Sequence, residues 1–343
     1  MQTENYTITD SNLQQLLQAL LSSGQKVVAP VRANNKVLFK EIKSASEVCS
    51  DHVQTTLSAK HLAFPRTEVL LQYKKTGKEV TINDFPFDAV PQTFLWGSRP
   101  CDAGGFAPLD GIFNWDSKDA IYNKRREQLT IISFSCTRHD DACFCTSMGG
   151  GPGNTAGSDM LITPAGNGTN IAEIITDKGK ALFENYTSLF EEAMGADKEQ
   201  YLTKIDKVFD TAEIKAKVEA FFESKVWKEQ SARCMGCGAC AYVCPACACF
   251  DIQDDKHGSK GSRLRCWDSC GFQLFTLHTS GHNPRETQAR RWRQRVMHKF
   301  SYMPDRINVV GCSGCGRCSR ACPADMNLAE HLEVIMKMEA EKI

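Results

Sequence analysis

The chain has 343 residues, of which 17 are cysteine. Lys and Arg number 41, as do Asp and Glu, and this balance argues against a strongly basic nucleic-acid binder. Hydrophobic residues make up 42%, enough for ordinary cores in two or three domains. The opening MQTENYTITD has neither a basic n-region nor an apolar h-region, and no apolar run approaches the roughly 20 residues that span a bilayer. These features predict a cytoplasmic chain without a membrane span. In that compartment, clustered cysteines signal metal or redox chemistry more often than disulfides.

In chain order, Ser11 is the predicted cap of a helix that runs to about Leu21 and stops at Gly24. β-rich runs follow at 27–31, 37–42, 68–73 and 79–82. Two further runs lie at 93–97, leading into Ser98-Arg99-Pro100-Cys101, and at 129–136, ending on Cys136. The charged stretch KDAIYNKRREQ between them reads as helical, so the three form a βαβ unit with parallel strands. Sites in such sheets gather beyond the carboxyl ends of the strands, where Cys101 and Cys136 would stand. From Lys178 to Ser224, Leu182, Phe183, Tyr186, Leu189, Ile205, Val208, Phe209 and Val218 recur at helical spacing, with a break near Gly195. Twelve cysteines lie between Cys234 and Cys322, and that shift sets a boundary near residue 230. The expected class is α+β. An N-terminal α/β domain with a partly parallel sheet (1–177) precedes a helical connection (178–230). A two-cluster ferredoxin-like domain with a long insertion (231–343) completes the chain.

Residues 234–245 and 312–323 both spell C-x2-C-x2-C-x3-C-P, a two-cluster ferredoxin signature. Three thiolates on one tight turn can grip three irons of a cube. Glycines such as Gly236, Gly238, Gly314 and Gly316 let the backbone bend close and aim N–H groups at sulfur. The fourth cysteine of each motif ligates the other cluster in such proteins. One [4Fe–4S] cluster is therefore assigned to Cys234, Cys237, Cys240 and Cys322, and a second to Cys312, Cys315, Cys318 and Cys244. Two zinc knots are the alternative, disfavoured by the duplicated spacing.

The segment between Cys244 and Cys312 holds Cys247, Cys249, Cys266 and Cys270, which are either additional metal ligands or thiols buried against the clusters. Cys101, Cys136, Cys143 and Cys145 are candidate ligands of a third [4Fe–4S] cluster, with Asp102 or Asp141 able to replace one thiolate. The alternative is four reduced cysteines without metal. This cluster would sit apart from the ferredoxin pair, as an entry or exit point for electrons. Cys49 receives no role. The glycine run at 149–153 lacks the Lys-Ser/Thr of a Walker loop and reads as a permissive loop over the cluster. No G-x-G-x-x-G opens a helix after a strand, and no catalytic residue is assigned. Residues 231–343 carry 16 basic against 11 acidic residues. Arg285, Arg290, Arg291, Arg293, Arg295 and Lys299 fall in one predicted helix. It is either a solvated face, a docking face or charge that stabilises reduced clusters.

CMGCGACAYVCPACACFD, RCWDSC and CSGCGRCSRACPADMNL together resemble the 4Fe–4S β subunit of cytoplasmic sulfhydrogenases and the A subunit of anaerobic sulfite reductase, which share a family. LWGSRPCDAGGFAPLDGIF and SCTRHDDACFCTSMGGGPG are similar to that family's N-terminal segments, so the resemblance covers most of residues 93–330. It implies an iron–sulfur subunit of a soluble oxidoreductase complex in anaerobic metabolism. Such a subunit relays electrons between a flavin-containing, NAD(P)H-linked subunit and a catalytic partner of hydrogenase, sulfite reductase or heterodisulfide-reductase type. The chain itself then breaks no substrate bond. Two rival readings are a reductase acting at the N-terminal cluster and a scaffold with structural clusters.

Overall fold

The computed structural model describes residues 4–193 and 197–339. Its larger sheet comprises β1 (Glu4–Thr9), β2 (Lys26–Ala33), β3 (Lys36–Glu41), β6 (Thr93–Ser98), β7 (Leu129–Phe134), β8 (Met160–Pro164), β9 (Thr169–Ile174) and β10 (Glu191–Glu192). A smaller one comprises β4 (Thr67–Thr76), β5 (Glu79–Asp84), β11 (Phe250–His257) and β12 (Lys260–Trp267). The large sheet runs β10-β1-β9-β8-β7-β6-β2-β3. Its centre, β2, β6, β7 and β8, is parallel, and its flanks are antiparallel. The predicted βαβ unit is present as β6, the helix Ala120–Glu127 and β7. The parallel strands are apolar on both faces, as burial on both sides requires: Leu129 to Ser133 are all buried.

One face of this sheet packs under the helices Asp10–Ser22 and Asp177–Asn185, through Leu16, Leu17, Leu20 and Leu182. Each of these leucines contributes about 1.5–3 kcal/mol by leaving water. The first helix is capped by Thr9, whose hydroxyl accepts from the Asn12 amide at 3.2 Å. The expected cap, Ser11, lies inside the helix because Asp10 already occupies its first turn. The other face is covered by the helices Phe106–Ile112 and Ala120–Glu127, joined by Phe64 and Trp267.

The smaller sheet, ordered β11-β12-β4-β5, joins distant parts of the chain, because β4 pairs with β12 of the cysteine-rich region. Beneath it, Glu68 binds Arg265 and Arg125, and Arg265 also reaches Asp119. Arg265 and Glu68 are both buried, so this network fixes the hairpin to the N-terminal half.

The helical stretch expected over 178–224 is shorter than its periodicity implied. It resolves into Asp177–Asn185 and Thr211–Ala220. Between them, Phe183 and Phe190 close on Tyr6, and Glu191–Glu192 pairs with β1. Packing at the sheet edge thus overrides helical periodicity. The break expected near Gly195 lies outside the described residues. The segment after Tyr201 is extended instead and straps the loop beyond β7: the Thr203 amide donates to Cys136 O at 2.9 Å and the Val208 amide to Ser147 Oγ at 2.8 Å. No helix among the described residues is long and apolar enough to cross a membrane.

Candidate metal centres

The two ferredoxin motifs fold alike. In each, a cysteine loop with two left-handed glycines enters a one-turn helix, Ala239–Tyr242 or Arg317–Arg320. Gly236 and Gly238 have φ of 68° and 73°, Gly314 and Gly316 63° and 69°, values that residues with a Cβ adopt at a cost. Cys234, Cys237 and Cys240 line one cavity, and Cys318 and Cys322 of the other motif line the same cavity. Gln288 donates to Cys234 Sγ at 3.0 Å. The second motif gathers Cys312, Cys315 and Cys318, whose charges act on one another. Cys244 and Cys312 both face Lys299, which donates to Cys244 Sγ at 3.3 Å and to Gly311 O at 2.5 Å.

Three buried cations surround these thiols. Lys60 is 3% exposed, Arg295 4% and Lys299 3%. Lys60 donates to Ala241 O and Cys247 O at 3.1 and 2.9 Å and lies 4.0 Å over the Trp267 ring. Arg295 reaches Cys247 Sγ at 3.6 Å and Cys240 O at 3.1 Å. Among the described residues none of the three pairs with a carboxylate. An isolated buried charge costs several kcal/mol, so these cations call for negative charge at the cysteines. Burial pushes the Lys60 ammonium down. At Lys299 burial acts the same way, but the Cys244 and Cys247 charges outweigh it and the pKa rises. A thiolate donor set, left-handed glycines at the loops and unpaired buried cations fit anionic iron–sulfur clusters.

Cys101, Cys136, Cys143 and Cys145 lie in one neighbourhood beyond the carboxyl ends of β6 and β7, although among the described residues no three metal-ligating side chains stand close enough to hold one metal ion. Cys136 is acted on by Cys143, Cys145 by both Cys136 and Cys143, and Cys101 by Cys136. Burial raises the Cys136 thiol to about 11 and that of Cys145 to about 12. Gln54 donates to Cys101 Sγ at 2.9 Å and Arg320 to Cys143 Sγ at 3.1 Å. Phe144, between the paired cysteines, is buried in the C-terminal core, and its amide donates to Gly314 O at 2.9 Å. A Cβ on Gly316 would lie 2.1 Å from Ala142 O. This thiol set is therefore not apart from the ferredoxin motifs, as the sequence suggested, but pressed against the second one. Cys101, Cys145 and Cys312 line a common cleft with Gly149, Gly150 and Gly151. Asp102 is tied to Arg317 at 2.8 Å, and Asp140 to Arg320.

Of the four cysteines in the insertion, three converge. Cys249 hydrogen-bonds Cys270, and Cys247 acts on both; Cys247 also hydrogen-bonds Cys244. Cys266 sits on β12, opposite Asp251 and Thr67. Cys49 stands apart from the other thiols, taking a hydrogen bond from Arg32 at 3.4 Å. Of the basic helix, now Gln288–Met297 with a wider turn after it, Arg290 is exposed while Arg295 and Lys299 are buried.

Comparison with known proteins matches a 4Fe–4S dicluster domain to residues 233–326. Over 318 residues, the chain is 29% identical to sulfhydrogenase 2 subunit beta of Pyrococcus furiosus, covering 90% of this chain and 91% of that one. The chain is thus similar to that β subunit along most of its length, and its C-terminal part matches a 4Fe–4S dicluster domain. The dicluster match supports two [4Fe–4S] clusters, and together with the similarity to that subunit it supports an electron-transfer role. Sequence reasoning missed Lys60, Gln54, Arg317 and Arg320 as neighbours of the cysteines. Arg295 and Lys299 were within reach, since they sit four residues apart on the helical face that also presents Trp292 and Val296.

Proposed function

We propose that the chain relays electrons inside an oxidoreductase complex of the cytoplasm. Its donor or acceptor on one side is a flavin-containing, NAD(P)H-linked subunit. On the other is a catalytic subunit of hydrogenase, sulfite reductase or heterodisulfide-reductase type. The observation that carries this reading is that the cavity of Cys234, Cys237 and Cys240 is closed by Cys318 and Cys322 of the other motif; of these two, Cys322 is the crossed ligand by the two-cluster spacing. Cys234, Cys237, Cys240 and Cys322 hold one cluster, and Cys312, Cys315, Cys318 and Cys244 the other. Cys101, Cys136, Cys143 and Cys145 hold a third [4Fe–4S] cluster, supported by their mutual proximity and by the contact of their loop with Gly314 and Gly316. Cys247, Cys249 and Cys270 are additional candidate ligands, with Cys266 at their margin. We keep 231–343 as the dicluster unit, 178–230 as a connection and 1–177 as the unit that bears the third site.

The clusters supply one-electron chemistry when bound. The chain's own residues supply thiolates, hydrogen bonds to sulfur from Gln54, Gln288 and Arg320, and buried positive charge from Lys60, Arg295 and Lys299. Anaerobic iron and sulfide analysis of the full chain should give about twelve of each with three cubes and about eight with two. The isolated, flavin-free chain should not be reduced by NADH or NADPH, whereas addition of the flavin partner should bleach its visible absorption. Rapid bleaching by nucleotide alone contradicts the relay.

A further inference from the structure

On the side of the large sheet that carries the helix Asp10–Ser22, the carboxyl ends of its four parallel strands open into a cavity of about 620 Å³. That volume is ordinary for a small-molecule site, roughly 300–1,000 Å³. Strand ends of parallel sheets are also where ligands gather. The cavity is separate from the thiol cavities but shares their strand ends: Arg99 lies two residues before Cys101, and Ser135 and Thr137 flank Cys136.

Its walls are apolar and partly flat. Trp96 of β6 and Phe134 of β7 stand side by side, ring centroids 5.5 Å apart and tilted by 59°. Pro30, Val48 and Leu13 complete the apolar lining. One corner is polar and unfinished. His52 is 8% exposed, and neither of its ring nitrogens makes a hydrogen bond. Arg99 uses its Nη atoms on Ser135 O at 3.0 Å and His52 O at 2.6 Å, and its Nε is left without a partner. Ser135 Oγ is equally bare. Buried polar groups are nearly always paired, so three open ones at one corner of a cavity point to a missing partner. Burial and the neighbouring Arg99 charge hold the His52 pKa down to about 4, so the ring is neutral and offers one donor and one acceptor.

The charge pattern narrows the ligand. Arg138 is matched at the rim by Asp51, at 2.5 Å, and Asp10 faces the cavity while bound by Asn170 at 2.7 Å. Only Arg99 carries charge in the buried corner, and Asp10 opposes a multiply charged anion. Two aromatic rings tilted to one another, one to stack on and one to meet edge-on, with spare donors and little net charge suit a conjugated ring system with carbonyl oxygens.

We propose that this cavity binds a flat, conjugated carbonyl compound, its ring against Trp96 and Phe134 and its oxygen toward Arg99 Nε, Ser135 Oγ and His52. Such a molecule lies beside the loop that carries Cys136. Binding does not depend on the relay reading, because it can be measured whether or not the N-terminal thiols hold iron. Quinones and flavin rings share this chemistry, so anthraquinone-2-sulfonate and riboflavin are the two probes.

The test is anaerobic equilibrium dialysis of each probe against the full, oxidised protein. One probe should bind at one site per chain, and which one does so names the source. His52→Ala should weaken that binding about tenfold, the loss of one good hydrogen bond. Gln14→Trp, an exposed position at the cavity mouth, should weaken it at least as much without touching the core. The proposal fails if neither probe binds with a dissociation constant below about 1 mM, a gain of only some 4 kcal/mol. It also fails if binding is unchanged in Gln14→Trp, a variant that keeps the fold even if His52→Ala does not.

Discussion

The ferredoxin loops and the N-terminal thiol loop both gather cysteines, but they differ in how much of the nearby positive charge is matched by carboxylates. Around the ferredoxin loops, Lys60, Arg295 and Lys299 are buried with no carboxylate partner among the described residues, and they direct their charge at sulfur and backbone carbonyls. Around the N-terminal loop, Arg317 is matched by Asp102 and Arg320 by Asp140, which leaves Arg99, acting on Cys136, as the cation held only by carbonyl oxygens. Free positive charge favours the more negative, reduced form of a cluster, and matched charge favours it less. The comparison teaches that charge around the thiols differs between the two regions, so that a cluster at the N-terminal thiols, as proposed, would be the harder of the two to reduce.

The largest expected effect tests the matched side. Arg317 and Asp102 are both buried, and removing one partner of such a pair typically costs about 3–5 kcal/mol. Arg317→Met should lower stability by that amount in chemical denaturation, and adding Asp102→Leu should recover most of it. A cost under about 1 kcal/mol for the single change means that the pair does not neutralise the site.

Next comes the seam between the regions. Gly316→Ala puts a Cβ 2.1 Å from Ala142 O at a φ of 69°. Overpacking of this kind costs about 1–3 kcal/mol. Its signature should be faster hydrogen exchange in 136–153, with Cys234 and its neighbours unaffected. Exchange that rises only around Cys234 breaks the link drawn between the second motif and the N-terminal loop.

Lys299→Met tests the unmatched side. The midpoint potential of the cluster nearest Cys244 should fall by about 60 mV, a tenfold change in the one-electron equilibrium. Spectroscopic redox titration should show the signal of the N-terminal centre in place. A shift of equal size in every centre would mean that the charge acts globally. The smallest effect is a control in neither region: Thr9→Ala removes the cap of the helix Asp10–Ser22 and should cost about 1 kcal/mol without altering any redox signal.

Much of the central sheet was legible. β2, β3, β6 and β7 were visible as apolar runs, and the βαβ unit followed from the charged helical stretch between two of them. β8, β9 and the hairpin of β11 and β12 were not read. β11 is exposed along its length and polar, so it carries no burial pattern to find. The stretch 178–224 showed helical spacing, yet part of it pairs with β1 or crosses the loop after Cys136, because long-range partners outcompete local periodicity there.

What the sequence determined by itself is the pair of ferredoxin loops. Their ligand spacing and left-handed glycines are local, since one tight turn must present three thiolates whatever surrounds it. The family resemblance rests on these motifs together with RCWDSC and the N-terminal segments LWGSRPCDAGGFAPLDGIF and SCTRHDDACFCTSMGGGPG. Only the tertiary structure decided what those loops face. Lys60 lies 181 residues before the carbonyl it binds at Ala241, and Arg317 lies 215 residues after Asp102. A buried charge gives no periodic signal, and its partner is chosen by how two halves of the chain pack. The same is true of the cavity under Trp96 and Phe134, which exists because four parallel strands end together and leave His52 beside it without a partner.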